Sequence, residues 1–176
     1  MTADIDRKPD LKLLVLLALA LCAFLATSAK AGEPQTLPAD LNLVGVDGTA
    51  LTTADIGGSE KWLLIYVRNN RASEVLLGEI DETSFPGITS HIVVIAGGMN
   101  QDRLKQTSSK FPGLAKAAWY GDSSLALATA MKINGAPVMF GMQDRNARWD
   151  LSGVLFDSEK LKSIVTSWFN PPQANP

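Results

Sequence analysis

Cysteine and histidine are scarce in this sequence, which has one of each among 176 residues. Structural zinc sites generally need four cysteine or histidine ligands, so this chain cannot supply one. An Asp-x-Asp-x-Asp-Gly loop, which would bind calcium through oxygen atoms, is also absent. The composition therefore predicts neither a metal site nor a cofactor.

An excess of one charge is also missing, because 16 basic residues face 18 acidic ones and the net charge is −2. Nucleic-acid-binding domains typically carry a clustered basic excess, which this chain lacks. With 46% hydrophobic and 19% charged residues, the chain has ample material for a core and too little charge for a disordered polymer. We therefore predict one folded domain that does not bind nucleic acid.

Two glycine pairs match only parts of known loops. Gly97-Gly98 follows a predicted strand, yet neither Gly-x-Gly-x-x-Gly nor the lysine-bearing phosphate loop is present. Gly57-Gly58-Ser59 lacks the last glycine of a Gly-x-Ser-x-Gly elbow and precedes a strand instead of following one. The sequence predicts tight turns at both places and no serine-hydrolase chemistry.

The first 31 residues have the layout of a secretory signal peptide. The uncharged apolar run Leu13–Ala26 follows basic residues between positions 7 and 12, and Ala29-Lys30-Ala31 forms a small-x-small cleavage pattern. As a helix the run would rise about 21 Å, less than the roughly 30 Å of hydrocarbon in a bilayer. We predict cleavage before Gly32 and a periplasmic or secreted protein. The alternative is an uncleaved N-terminal anchor with the domain facing the periplasm.

The predicted signal peptide contains Cys22, so the mature chain would have no thiol. Residues 32–40 contain two prolines and are predicted to be a linker, and residues 170–176 are predicted to be a disordered tail. The domain itself is predicted to span residues 41–169.

Strands and helices alternate in this domain. The runs Trp62–Val67 and Ile92–Ala96 are continuously apolar, which is typical of strands buried on both faces of a parallel sheet. A strand at 41–46 precedes them, and strands at 138–142 and 149–155 form a hairpin around a turn at 144–147.

Helices are predicted over 72–82 and 101–110, and from a cap at Asp122-Ser123-Ser124 to about Lys132. A last helix follows Asp157, and its apolar residues recur at i, i+3, i+4 and i+7 from Leu161. The order predicts an α/β domain with a mixed sheet.

Four short segments occur in an order typical of one family. They are a strand with an Asp-Gly turn, a buried strand with a polar loop, a Gly-Ala-Pro step before another strand, and a hairpin with an acidic turn. In sequence order these are Val46–Thr52, Leu63–Arg71, Ile133–Val138 and Gln143–Gly153. Together they resemble the thioredoxin-like superfamily, in particular its exported TlpA-type and peroxiredoxin-type branch. Over residues 41–169, the resemblance implies a mixed central sheet flanked by helices and a cis proline at Pro137.

The resemblance also exposes a departure in the active-site loop. Where the family has Cys-x-x-Cys at the start of the first helix, this chain has Asn70-Arg71-Ala72-Ser73-Glu74, and no register provides a thiol. Disulfide exchange and peroxide reduction require a thiolate, which an ordinary serine hydroxyl does not replace. We therefore expect a redox-inactive domain with no thiol–disulfide oxidoreductase or peroxidase activity.

Other candidate residues have plain structural interpretations. His91 opens a strand without an evident nucleophile or acid beside it, so we interpret it as a strand-edge residue. The acidic residues Glu79, Asp81 and Glu82 fit a solvated helix end. The four tryptophans, which are Trp62, Trp119, Trp149 and Trp168, fit core positions.

Two functions stay open. The first is an exported protein-binding or assembly module that holds an extended polypeptide beside the cis proline, with an exported or membrane protein as its partner. The second is an enzyme of non-thiol chemistry in the same pocket, with Arg71 and Glu74 as its charged pair. No catalytic residue is assigned, and membrane contact is expected only if the N-terminal segment stays uncleaved. The predicted binding residues are Asn69, Asn70, Arg71, Ser73, Glu74, Ala136 and Pro137.

Overall fold

The computed structural model describes residues 35–58, 60–80, 85–153 and 157–170. The predicted signal peptide, its anchor alternative, and residues 171–176 of the predicted tail lie outside the described residues. Within the described ranges, no helix combines the length and apolar character needed to cross a bilayer.

A single seven-stranded mixed sheet organises the domain, in the spatial order β2-β1-β5-β4-β3-β6-β7. β3 is parallel to β4 and antiparallel to β6, and β4 is parallel to β5. The parallel pair and the closing hairpin that the sequence predicts are both present. The strands are β1 (Asn42–Gly45), β2 (Ala50–Thr52), β3 (Lys61–Val67), β4 (Ile92–Gly97), β5 (Ala118–Asp122), β6 (Val138–Gln143) and β7 (Asn146–Ser152).

Four α-helices of the described ranges pack against this sheet, and each begins at or near a polar side chain that accepts backbone hydrogen bonds. Asn70, Asn100 and Asp157 cap three of them by accepting from the backbone N–H three residues ahead. The helices are α1 (Arg71–Glu79), α2 (Gln101–Ser108), α3 (Ala126–Ala130) and α4 (Ser158–Phe169). Short 3₁₀ turns occupy Thr53–Asp55, Thr89–His91 and Pro112–Leu114.

The central strands are buried on both faces, as their continuous apolar runs predict. In β3, Leu63, Ile65 and Val67 belong to one core cluster. The alternate residues, including Leu64 and Tyr66, belong to the cluster on the other face. Trp62 and Trp119 are buried, whereas Trp149 and Trp168 are half-buried and pack edge to face at 6.0 Å. The prediction of core tryptophans is therefore confirmed in full for two of the four.

The closing hairpin differs from its prediction. The expected turn at 144–147 and strand at 149–155 are wrong, because β7 already begins at Asn146 and ends at Ser152. Asp144 has a φ of 54°, and Gln143 pairs with Asn146, so the turn contains only Asp144 and Arg145. A two-residue turn with positive φ suits the twist of a hairpin.

The third helix is shorter than predicted. Its cap is the buried carboxylate of Asp122, which accepts from the N–H groups of Ala126 at 2.9 Å and Leu127 at 3.0 Å. Leu125, the residue before the helix, lies in the left-handed region with a φ of 60°. Lys132, two residues after the end of the helix, has a φ of 52°. The helix therefore starts four residues after its capping side chain and stops before Lys132.

The chain before β1 packs on the domain over part of the predicted linker. Leu37 is only 1% exposed, and its N–H donates to the carbonyl of Arg145 at 2.8 Å. The Arg145 guanidinium donates in return to the carbonyls of Leu37, Pro38 and Thr53. The linker prediction is therefore wrong for residues 35–38, which belong to the folded unit.

Candidate functional site

The loop between β3 and α1 begins at the point where the chain leaves the core and becomes exposed to solvent. Val67 is fully buried, and the next three residues are exposed. Asn70 has extended backbone angles, and its Oδ1 accepts from the Ser73 N–H at 2.8 Å. Asn70 is therefore the N-cap of α1 and satisfies one of the free N–H groups at the helix start.

The other end of the Asn70 amide reaches a second loop. Its Nδ2 donates to the carbonyl of Ala136 at 3.1 Å. The Ala136–Pro137 peptide bond is cis, and the carbonyl of Pro137 accepts from the Gly153 N–H at 2.8 Å. Val138, which follows, pairs with Tyr66 near the end of β3. One amide side chain thus ties the β3–α1 loop to the loop before β6.

Ser73 completes this arrangement from inside the helix. It is 2% exposed, and its Oγ accepts from the Arg68 N–H at 3.1 Å. We call Asn70, Ser73, and the backbone of Arg68 and Ala136 the polar clamp. Every side-chain polar atom of Asn70 and Ser73 has a backbone partner in it. The clamp orders the loop, and among the residues that the structure describes no basic side chain forms a hydrogen bond with the Ser73 hydroxyl.

Two clefts flank the clamp. The proline cleft, of about 380 Å³, lies against the cis-proline loop and the end of β7. Its walls include Gly135, Ala136, Pro137, Val138, Asp150, Ser152 and Gly153. The Tyr66 cleft, of about 430 Å³, lies between β3 and α3. Its walls are Tyr66, Arg68, Leu125, Ala128, Thr129, Lys132, Ile133, Asn134 and Gly135.

Tyr66 is an unusual member of the second cleft. It is 1% exposed, and its hydroxyl has no hydrogen-bond partner within the described ranges. Burial raises the pKa of the Tyr66 phenol to about 12, with a further contribution from the negative charge of Asp122. The positive charge of Arg68 offsets part of this shift. The phenol therefore stays protonated at physiological pH and can donate a hydrogen bond but has no acceptor in the described ranges.

Comparison with solved structures identifies the architecture. A secreted Mycobacterium tuberculosis disulfide oxidoreductase homologous to E. coli DsbE has a TM-score of 0.59 at 11% identity, over 73% of this chain and 96% of that chain. DsbF from M. tuberculosis has a TM-score of 0.60 at 14% identity, over 76% of this chain and 99% of that chain. An exposed lipoprotein thioredoxin of Streptococcus pneumoniae has a TM-score of 0.56 at 14% identity, over 73% and 99%. The fold is thioredoxin-like. No family model and no curated protein sequence matches the chain.

In this thioredoxin-like fold, the clamp residues occupy the start of the first α-helix after the first central strand. Asn70 and Ser73 are separated by two residues, which is the spacing of the Cys-x-x-Cys motif that the resemblance places there. Both side chains form hydrogen bonds to the backbone instead of offering a thiol.

The predicted binding residues separate into two groups. Asn70, Ser73 and Ala136 meet in the clamp, and Pro137 lies beside it. Asn69 is exposed. Arg71 and Glu74 form an ion pair at 3.6 Å on the surface of α1, with side chains 86% and 44% exposed, and Lys110 approaches Glu74 at 4.0 Å.

Such exposed pairs contribute little energy, and neither Arg71 nor Glu74 lines the two flanking clefts. The charged pair that the enzyme alternative requires is therefore solvated and lines neither of these clefts. The described residues also contain no group of three or more potential metal ligands.

His91 and Glu79 lie away from the clamp. His91 is exposed at the amino end of β4, with its ring 5.7 Å from that of Phe169. Glu79 is exposed and accepts from the Ser158 hydroxyl at 2.8 Å, while Asp81 and Glu82 lie outside the described residues. Neither of the two described residues contributes to the site.

Sequence reasoning missed the Tyr66 cleft. Arg68 and Lys132 are 64 positions apart in the sequence, and only the packing of α3 against β3 places both on one cleft. One signal was available, since Tyr66 is the single hydroxyl-bearing residue in the otherwise aliphatic run Leu63–Val67. A polar atom inside a run buried on both faces needs a partner or an explanation.

Proposed function

We propose that this protein is a redox-inactive thioredoxin-like module that binds polypeptide segments in extended form beside Ala136 and Pro137. The observation that carries the proposal is the polar clamp, since both positions with Cys-x-x-Cys spacing are committed to backbone hydrogen bonds. The single cysteine, Cys22, lies in the predicted signal peptide. Without a thiolate at the loop, the scaffold retains its surface and loses the nucleophile.

The proline cleft supplies the surface for an extended chain. It is bounded by the cis-proline loop and by the end of β7, which is the last strand of the sheet. Edge strands present free N–H and C=O groups that an extended segment can pair with. A segment in this cleft would lie beside both the edge of β7 and the Ala136 carbonyl.

The Asn70 amide already forms a hydrogen bond to the Ala136 carbonyl, which a bound segment would also use. Its Nδ2 occupies a lone pair of the Ala136 carbonyl at 3.1 Å, although Asn70 itself is exposed. An incoming backbone N–H therefore competes with a side chain that can rotate into solvent. Release of the Ala136 carbonyl should strengthen polypeptide binding.

Export is part of the proposal. The apolar run at 13–26 with its cleavage pattern supports delivery to the periplasm or the medium. Two of the structurally similar proteins are described as secreted and as exposed, respectively. The partner is then an exported or membrane protein.

The experiment compares an N-cap substitution at the clamp with the same substitution elsewhere. Asn70→Ser retains an oxygen that can cap α1 and removes the amide donor to Ala136. Asn100→Ser makes the same change at α2, where the Asn100 side chain accepts from the Arg103 N–H and forms no other hydrogen bond within the described ranges. Binding of soluble, permanently unfolded casein to the full chain is measured by biolayer interferometry. We expect several-fold tighter binding for Asn70→Ser and no change for Asn100→Ser. Absence of casein binding in all three proteins would overturn the proposal.

A further inference from the structure

We propose that the Tyr66 cleft is a binding site for a carboxylate attached to a short apolar body, either a free aliphatic acid or the carboxyl terminus of a polypeptide. This inference does not rest on the proposed polypeptide function, because a free acid satisfies it. The cleft combines a buried unpartnered donor, two free cations and an apolar wall.

The buried donor is the Tyr66 hydroxyl. Leaving a buried hydroxyl without a partner is unfavourable, so native structures rarely retain one. The hydroxyl lies against Gly97, where an added Cβ would meet it, and so close an approach needs a glycine at that position. Tyr66 also lines the cleft, so a ligand in it would lie beside the residue that carries this unsatisfied hydroxyl.

The cations are Arg68 and Lys132, which both line the cleft. Both are exposed, and neither forms an ion pair in the part of the chain that the structure describes. The described residues that line the cleft include no aspartate or glutamate. Arg68 lines the same cleft as Tyr66, whereas the Asp122 carboxylate, whose charge raises the pKa of the Tyr66 phenol, is not one of the lining residues.

The remaining walls are partly apolar. Leu125, Ala128 and Ile133 line the cleft, and its volume of about 430 Å³ falls within the range of small-ligand sites. A guanidinium and a phenol both donate strongly to a carboxylate, whereas the aliphatic walls favour a hydrocarbon next to it. Simple inorganic anions would use the donors and leave the apolar wall without a partner.

The test titrates the full-length protein with hexanoate, hexanamide and hexylammonium, followed by amide NMR shifts. We expect saturable shifts with hexanoate at residues of the cleft, and at least about tenfold weaker binding of the other two probes, since a charge-assisted hydrogen bond is lost. Tyr66→Phe should weaken hexanoate binding about fivefold to tenfold, and Lys132→Met should weaken it several-fold. Lys105→Met, an exposed lysine of α2 outside the cleft, is the matched control and should bind as the natural chain does.

A second arm identifies the source of the carboxylate. A short peptide with a C-terminal leucine is compared with its C-terminal amide. Tight binding of the free-acid peptide that amidation abolishes indicates a polypeptide terminus, whereas equal or weaker binding than hexanoate indicates a free acid.

Three results would overturn the proposal. They are saturation by none of the carboxylates, equal binding of hexanoate and hexanamide, and unchanged affinity in both Tyr66→Phe and Lys132→Met. Thermal melting of each variant shows whether it is folded, and either variant alone suffices for the comparison.

Discussion

Two neighbouring regions at the carboxyl end of β3 differ in whether their polar side chains have hydrogen-bond partners. In the polar clamp, Asn70 and Ser73 place each side-chain polar atom on a backbone partner. In the Tyr66 cleft, a phenol that is more deeply buried than Asn70 has no partner in the described ranges. The hydrogen bonds of the clamp explain how the loop is held in place. A buried donor without a partner in the protein requires an acceptor from a ligand or from water.

The difference separates structure from recognition at the same end of the sheet. The hydrogen bonds of the clamp stabilise the loop, so removing them should lower the stability of the domain. The Tyr66 hydroxyl has no partner in the described ranges, so at neutral pH its removal should mainly affect ligand binding. Substitutions in the two regions test this difference.

The largest effect is expected where Tyr66 packs on β4. A Cβ on Gly97 would lie 1.9 Å from the Tyr66 hydroxyl oxygen, so Gly97→Ala should destabilise the domain by about 2–4 kcal/mol through overpacking. Urea unfolding measures the change. Gly78→Ala is the control, because Gly78 is an exposed helical position with nothing within 4 Å, and it should stabilise by about 0.5–1 kcal/mol. If Gly97→Ala left the free energy of unfolding unchanged, the Tyr66 side chain would be free to move away, and its buried position against Gly97 would not be fixed by packing.

The next effect concerns alkaline pH. The pKa of Tyr66 is raised from 10.0 to about 12, so the fold favours the protonated phenol. This contribution is fully present below pH 10, and it is lost as pH rises from about 10 to 12, at about 1.4 kcal/mol per pKa unit. The natural chain should therefore lose about 2 kcal/mol relative to Tyr66→Phe over that window.

Phenolate absorbance provides an independent reading, since the chain has two tyrosines. In Tyr120→Phe, the single remaining tyrosine should titrate near pH 12. Titration near pH 10 in that variant would mean that the phenol is solvated, and the contrast between the two regions would disappear.

A smaller effect is expected at the clamp. Asn70→Ala removes the cap of α1 and the hydrogen bond to Ala136, and should cost about 1.5–2.5 kcal/mol. Asn100→Ala removes only the cap of α2 and should cost about 1 kcal/mol. Thermal unfolding of both variants isolates the contribution of the bond between loops. Equal losses would show that this bond contributes nothing to stability.

The smallest effect is expected on the surface of α1. Arg71→Met removes an ion pair whose partners are 86% and 44% exposed, and should change stability by at most about 0.5 kcal/mol. It should also leave hexanoate and casein binding unchanged in the titrations described above. A loss of either ligand would place Arg71 in the site, contrary to the position of its side chain.

The sequence predicts the parts of this fold that depend on local pattern. The apolar runs that became β3 and β4 and the stripe of α4 are evident because each reports its own burial. The short strand β2 was missed, since three residues carry too little periodicity. The predicted hairpin turn was displaced because a positive φ at Asp144 leaves no apolar signature.

The site was predicted only in part for a related reason. The loop sequence at 69–74 and the Ala136–Pro137 step indicate where the clamp lies, since both are local motifs. The packing of Leu37 under Arg145 and the meeting of Arg68 with Lys132 depend on contacts between residues distant in the sequence. Such contacts follow from tertiary packing, which a single sequence does not reveal.

The central claim is that the clamp occupies the position of a thiol pair in an otherwise retained scaffold. The most direct test places Asn70→Cys and Ser73→Cys in a Cys22→Ser chain and measures reduction of insulin disulfides by dithiothreitol, beside the Cys22→Ser chain alone. We expect the chain without thiols to match the blank and the folded double-cysteine variant to accelerate the reduction severalfold. Catalysis by the thiol-free chain, or a folded double-cysteine variant that forms no disulfide and stays inactive, would contradict the account.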